Sequence, residues 1–127
     1  MNDRSYEHPN ITELKRLNPE LVDALDKPDA AAQLLRILPG KYPPEQIATP
    51  RSNRAWELAA LCLLGSNRVH EALSLFWALY EQMLAAQSTA GRIHKGVPLV
   101  WIGECFSRLD FPVHAKRYLM LTCVRMH

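Results

Sequence analysis

Apolar side chains recur at helical spacing along the chain, and the pattern is most regular between Trp56 and Thr122. The segment AWELAALCLLGSNRVHEALSLFWAL, which begins at Ala55, is echoed by LVWIGECFSRLDFPVHAKRYLMLT, which begins at Leu99. Each segment predicts two amphipathic helices joined by a short polar turn. In the second helix of the first copy, apolar residues leave only a narrow polar stripe. We therefore expect this helix to be central and packed on more than one side.

Prolines, glycines and capping residues predict where the helices begin and end. In the second half of the chain we expect helices from Ser52 or Asn53 to Leu64, from Asn67 to about Gln87, from Pro98 to Leu109, and from Val113 to about Met126. In the first half we expect three helices. The first is capped by Asn10 and ends at Leu17, and the second starts with Asn18 and Pro19 and ends near Leu25. The third begins at Pro28 and is stopped by Pro39 and Gly40. Four prolines between residues 39 and 50 predict a rigid connector.

These elements predict an all-α fold of about six or seven helices that needs no strand. A length of 127 residues fits one domain, and a hydrophobic fraction of 48% is ordinary for a globular protein with a core. Within that domain we expect residues 1–50 to supply N-terminal helices and the Pro-rich connector, which pack on two helical hairpins formed by residues 51–127.

The two copies also share residue types at matching positions. The first has Trp56, Ala59-Ala60, Leu63, Ala72 and Phe76, and the second has Leu99, Ile102-Gly103, Phe106, Ala115 and Leu119. These positions resemble the W-x2-L-G-x2-Y and A-x3-F pattern of the tetratricopeptide repeat. The resemblance implies a right-handed α-solenoid of antiparallel helical hairpins that binds proteins without catalysis. Ala72 and Ala115 are 43 residues apart, whereas the family's period is roughly 34, and helical hairpins of another kind would give a similar periodicity.

The charge and the cysteine content limit the kinds of function that the chain could have. The net charge of +2 is too small to indicate a polyanion partner. Residues 51–127 nevertheless hold nine Lys/Arg against five Asp/Glu, so this half is mildly basic. The basic residues Arg92, His94, Lys95, Lys116 and Arg117 are more typical of a solvated face than of a nucleic-acid site. Three cysteines in apolar helical patterns indicate buried thiols, and no secretory signal or membrane-spanning run is seen, so we expect a cytoplasmic protein without membrane contact.

One short motif is a candidate for catalysis. Gly91 and Gly96 have the outer spacing of a phosphate-binding loop but lack the Lys and Ser/Thr that should follow. The cysteines and histidines show no metal-ligand spacing, so we expect no cofactor and no metal. Arg108 and His114, by contrast, form an R-x5-H element that resembles the motif of the HEPN ribonucleases. This resemblance implies, as the alternative function, a HEPN-like RNA-cleaving or RNA-binding helical domain.

Two surfaces are expected to bind partners. The first is the concave face lined by the first helix of each hairpin, with Arg54, Glu57, Leu61, Val97, Val100, Trp101, Glu104 and Arg108. The second is the last helix, apolar on nearly every side, with Tyr118, Leu121, Val124 and Met126. We expect this apolar helix to be covered either by a second copy of the protein or by a further segment of the same protein, of which this sequence would then be the N-terminal part. The leading hypothesis is a non-enzymatic helical-repeat scaffold module for a protein or peptide partner.

Overall fold

The computed structural model describes the backbone of residues 7–42, 50–90 and 96–125, and the side chains of residues 7–42, 54–85 and 98–120. These residues form seven α-helices and no strand, which confirms the all-α fold. The helices are α1 (Pro9–Leu17), α2 (Pro19–Leu25), α3 (Ala30–Lys41), α4 (Pro50–Gly65), α5 (Val69–Ala90), α6 (Gly96–Arg108) and α7 (Pro112–Arg125). None of the helices within the described ranges combines the length and hydropathy that crossing a membrane requires.

The first two helices begin at capping side chains followed by proline. Asn18 caps α2 as predicted, since its Oδ1 accepts a hydrogen bond from the Glu20 N–H at 3.0 Å and Pro19 follows at the first helical position. The predicted cap of α1 was wrong by two residues. His8 is the cap instead, and its Nδ1 accepts from the Asn10 N–H at 3.1 Å.

Two predicted boundaries around the connector were also wrong. Helix α3 continues through Pro39 and Gly40 to Lys41, although Pro39 has no N–H to donate and crowds the preceding turn. The next N–H, that of Tyr42, still donates to the Leu38 carbonyl at 2.7 Å. Helix α4 begins at Pro50, ahead of the expected caps Ser52 and Asn53, since proline suits the first helical position. Residues 43–49 of the predicted connector lie outside the described ranges.

The turns α4–α5 and α6–α7 have the same geometry. Each contains one residue with positive φ two positions after the helix ends, Asn67 at 62° and Asp110 at 66°. Equivalent hydrogen bonds close both turns as Schellman motifs. In the first turn, the Arg68 N–H donates to the Leu63 carbonyl and the Asn67 N–H to the Leu64 carbonyl. In the second, the Phe111 N–H donates to the Phe106 carbonyl and the Asp110 N–H to the Ser107 carbonyl. Asn67 therefore ends α4 rather than starting α5, which corrects the predicted start. The 43-residue sequence period extends to the backbone of both turns.

Small residues are buried in each hairpin at the positions where the sequence predicts that the helices cross. Ala60 and Ala72 are fully buried in the first hairpin. In the second, a Cβ placed on Gly103 would lie 2.9 Å from Leu119 Cγ and 3.3 Å from the Ala115 carbonyl oxygen. Any larger residue at this position would require Leu119 to shift or the two helices to separate.

Helix α5 is central, as its wide apolar arc predicted, because it packs against α3, α4 and α6. Helices α1 and α2 pack on α4, and α7 packs on α6. One core joins these layers, and its largest fully buried side chains include Leu14, Leu34, Trp56 and Phe76. Both α5 and α7 are antiparallel to α6 and so run parallel to each other, with their N-termini at the same end.

A polar clamp fastens the α4–α5 turn to the N-terminal helices. The half-buried Arg68 guanidinium donates to three main-chain carbonyls at the end of α2 and in the turn before α3: those of Leu25 at 2.8 Å, Lys27 at 2.9 Å and Pro28 at 3.1 Å. It also donates to Glu71 at 2.6 Å. The Glu71 carboxylate in turn accepts the Ala31 N–H at 3.1 Å, at the open N-terminus of α3.

Candidate functional site: an aromatic cleft between α5 and α7

An apolar cleft opens to solvent between the second helices of the two hairpins. Its lining residues are Leu73, Ser74 and Trp77 on α5, Phe106 on α6 and Tyr118 on α7, and its volume is about 400 Å³. We call it the aromatic cleft. Trp77 is 36% exposed within it, so a large apolar ring faces water at the point where three helices meet. Exposed apolar area of this kind marks binding surfaces more often than isolated exposed side chains do.

Ring contacts hold the cleft in shape. Tyr118 meets Trp77 edge to face with centroids 5.7 Å apart, and it stacks on Phe106 at 5.5 Å and 19°. Each such pair contributes about 0.5–1.5 kcal/mol beyond its buried area. Since the two contacts join α5, α6 and α7, the walls are preorganised and a ligand would not have to order them.

The cleft extends toward the N-terminus of α7 through a second set of rings. His114 lies 5.2 Å from Phe106 and 5.9 Å from Phe111, measured between centroids. Phe111 itself is about half exposed. His114 and Tyr118 are one helical turn apart, so both face the same side of α7. The aromatic surface is therefore longer than the cleft itself and follows the direction of α7.

The hairpin half of the chain carries a surplus of positive charge, although no charged residue lines the cleft itself. Of the five carboxylates in residues 51–127, three are in ion pairs with arginines: Glu57 with Arg54, Glu71 with Arg68 and Glu104 with Arg108. Lys116 and Arg117 on α7 are exposed and form no ion pair with any described side chain. Glu81, one helical turn from Trp77 on α5, is in no ion pair with a described side chain, so the surplus of Lys/Arg belongs to the hairpin half as a whole.

The predicted partner residues on α4 lie against α1. The Arg54 guanidinium donates to the Glu13 carboxylate at 3.0 and 2.9 Å and to Glu57 at 2.8 Å. These hydrogen bonds hold the pKa of Glu13 below its usual range. Leu61 is half-buried and lines a small depression with Ile11 of α1 and its cap, His8. This part of the predicted concave face is therefore in contact with the N-terminal helices.

The predicted partner residues on α6 point in several directions. Trp101 stacks on Phe76 of α5, with centroids 6.0 Å apart. Val100 is exposed, and Glu104 pairs with Arg108 at 2.9 Å on the surface. The side chain of Val97 lies outside the described residues. Because α4 packs chiefly on α5, and α6 packs on α7 and α5 rather than on α4, the structure does not bring the two groups together. A binding role for them stays a prediction.

The predicted interface on α7 is only partly described. Tyr118 lies in the aromatic cleft against Trp77 and Phe106 rather than on the outer face. Leu121, Val124 and Met126 lie outside the residues whose side chains are described. The exposed apolar residues of α7 include Val113, Leu119 and Met120, which the sequence analysis did not single out.

The groups that offered chemistry are engaged in packing or pairing. Arg108 is bound to Glu104, and His114 packs on aromatic rings. Burial raises the pKa of the Cys62 and Cys105 thiols to about 11, so both are un-ionised at neutral pH and are weak nucleophiles. Cys123 lies outside the described side chains. No cluster of metal-ligating side chains occurs among the described residues.

Four residues that line the cleft were not predicted as site residues from the sequence: Leu73, Ser74, Trp77 and Phe106. One signal was available: Trp77 falls on the same side of α5 as His70, Ser74 and Glu81, which form the polar stripe of an otherwise apolar helix. An aromatic ring within a polar stripe indicates an exposed anchor. Comparison of the chain with family models, with curated proteins and with solved structures gave no match.

Proposed function

We propose that this protein is a non-enzymatic interaction module that binds an acidic, apolar-anchored segment of a partner protein in the aromatic cleft. The observation that carries the proposal is the partly exposed Trp77 ring, held between Tyr118 and the cleft wall at a junction of three helices. Tryptophan and tyrosine are the residues that most often dominate binding energy at protein interfaces.

The shape and charge of the cleft define the ligand. Its walls are two parallel helices, α5 and α7, so an amphipathic helix or extended segment lying along them would insert apolar side chains beside Trp77. Asp or Glu residues flanking those anchors would be attracted by the net positive charge of the hairpin half, to which Arg117 contributes.

The proposal includes a tetratricopeptide-like right-handed solenoid arrangement of the two hairpins. Support comes from the equivalent turns at Asn67 and Asp110 and from the small residues at both crossings. It also includes a cytoplasmic location, since buried cysteines outside any disulfide persist in a reducing compartment.

A peptide-display selection on the full chain, with counter-selection on a Trp77→Ser variant, tests the proposed function. We expect the enriched peptides to carry Leu or aromatic anchors at helical spacing together with a surplus of Asp and Glu. Peptides without an acidic surplus, or peptides retained equally by both proteins, would contradict the proposal.

The affinity of an enriched peptide should then be measured by fluorescence anisotropy. Trp77→Ser should weaken binding by about tenfold or more, the loss typical of an interface anchor. Val113→Ser is the matched control, because Val113 is an exposed apolar residue of α7 that does not line the cleft. Arg117→Glu should weaken binding most at low salt. Equal losses in the serine variants would show that the cleft is not the site.

A further inference from the structure

A second apolar surface lies on the other side of α7. It includes Leu119 and Met120 of α7, and we call it the end face. Leu119 is 43% exposed and Met120 58% exposed. Beside them is an open depression of about 410 Å³, lined also by Ser107, Pro112 and Lys116. The aromatic cleft shares none of these residues.

The internal repeat indicates what kind of element covers such a face. Leu119 occupies in the second hairpin the position that Phe76 occupies in the first, 43 residues earlier. Phe76 is fully buried, because Trp101 of the following helix stacks on it at 6.0 Å with 13° between the rings. In the first hairpin, therefore, this position is covered by an amphipathic helix that contributes a large aromatic ring.

The two ends of the pair of hairpins differ in whether other helices pack on them. At one end, α1 and α2 pack on α4, and α3 packs on α5. At the other end, no helix of the described ranges covers Leu119 or Met120. The end face is thus the uncovered counterpart of a surface that the same fold buries elsewhere.

We propose that the end face receives an amphipathic α-helix of a partner protein, with an aromatic side chain on Leu119 as Trp101 lies on Phe76. Lys116 borders the depression and makes no ion pair with a described side chain. An acidic residue beside the apolar stripe of the incoming helix would pair with this ammonium group. This surface is separate from the aromatic cleft, so the inference does not depend on the proposed function.

A fluorescent peptide with the sequence of residues 96–109 of this chain, with Cys105 replaced by serine, is a probe of the required chemistry. Its anisotropy is measured against the full chain. We expect saturable binding, weakened by about tenfold or more in a Trp101→Ala peptide and in a Met120→Glu chain. Met120 is mostly exposed, so the variant should fold, which circular dichroism checks. Ala32→Glu on α3 introduces the same charge at an exposed site away from α7 and should leave the affinity unchanged.

Three results would overturn the proposal. One is the lack of saturable binding below about 1 mM, the range of the weakest specific affinities. Another is binding that Met120→Glu leaves intact, which would place the peptide elsewhere. The third is a dimer of the chain in sedimentation velocity that Met120→Glu abolishes, since the occupant would then be a second copy rather than a partner helix.

Discussion

The crossing of α6 and α7 can be tested by adding one methyl group at Gly103. An alanine Cβ there would lie 2.9 Å from Leu119 Cγ and 3.3 Å from the Ala115 carbonyl oxygen, closer than the ~3.5–4.0 Å of ordinary carbon contacts. Either the helices separate or Leu119 changes rotamer, at an overpacking cost of about 1–3 kcal/mol. The higher helix propensity of alanine returns about 1 kcal/mol. We therefore expect Gly103→Ala to lower the free energy of unfolding by about 1 kcal/mol.

Gly65→Ala is the matched control for this substitution. Gly65 is the last residue of α4, and no atom lies within 4 Å of the Cβ that alanine would add. This variant should be neutral or should gain up to about 1 kcal/mol. Urea unfolding followed by circular dichroism measures both, and the two free energies should differ by about 1–2 kcal/mol. If both variants move the midpoint equally and in the same direction, the close crossing of α6 and α7 is wrong.

Three further predictions concern stability and thiol reactivity. Arg68→Ala removes the donor to three carbonyls and should lower the free energy of unfolding, measured in urea, by about 2–4 kcal/mol. Arg68→Lys should recover only part of this loss. A loss under about 0.5 kcal/mol would refute the clamp. Because the folded pKa of Glu13 is lowered, its carboxylate stabilises the fold at neutral pH, and Glu13→Gln should be less stable there, with the difference closing as pH falls below about 4. Burial raises the pKa of Cys62 and Cys105 to about 11. In a Cys123→Ser variant at pH 8, these two thiols should therefore react with a disulfide reagent about 100-fold more slowly in the folded chain than in the chain unfolded by urea. Equal rates in the two states would contradict their burial.

The sequence predicted the helices because their signals are local. Apolar periodicity and caps such as Asn18 act within a few residues, so the existence of the helices could be inferred without tertiary contacts. The small residues at the crossings were also visible, since Ala60 and Gly103 are 43 residues apart. Boundaries were less accurate: neighbouring hydrogen bonds carry α3 past Pro39, and Asn67 adopts positive φ after α4.

The candidate site could not be predicted because it depends on how separate helices are placed. Trp77 and Tyr118 are far apart in sequence, and only the parallel arrangement of α5 and α7 brings their rings to 5.7 Å. The contacts of α4 could not be predicted either. Helix α1 docks on it through the hydrogen bond between Arg54 and Glu13, and no local sequence pattern specifies that contact. Sequence reasoning identified exposed residues by their helix position, whereas tertiary packing decides which of them remain open.

The most direct test of the aromatic cleft is a ¹H–¹⁵N correlation spectrum of the three tryptophan indoles during titration with an enriched acidic peptide. Trp77 lines the cleft, whereas the buried Trp56 indole donates to the Tyr42 carbonyl at 3.3 Å and serves as an internal control. We predict that the Trp77 indole signal shifts with saturation while that of Trp56 stays in place. A titration that leaves Trp77 unmoved while the peptide binds would contradict the account.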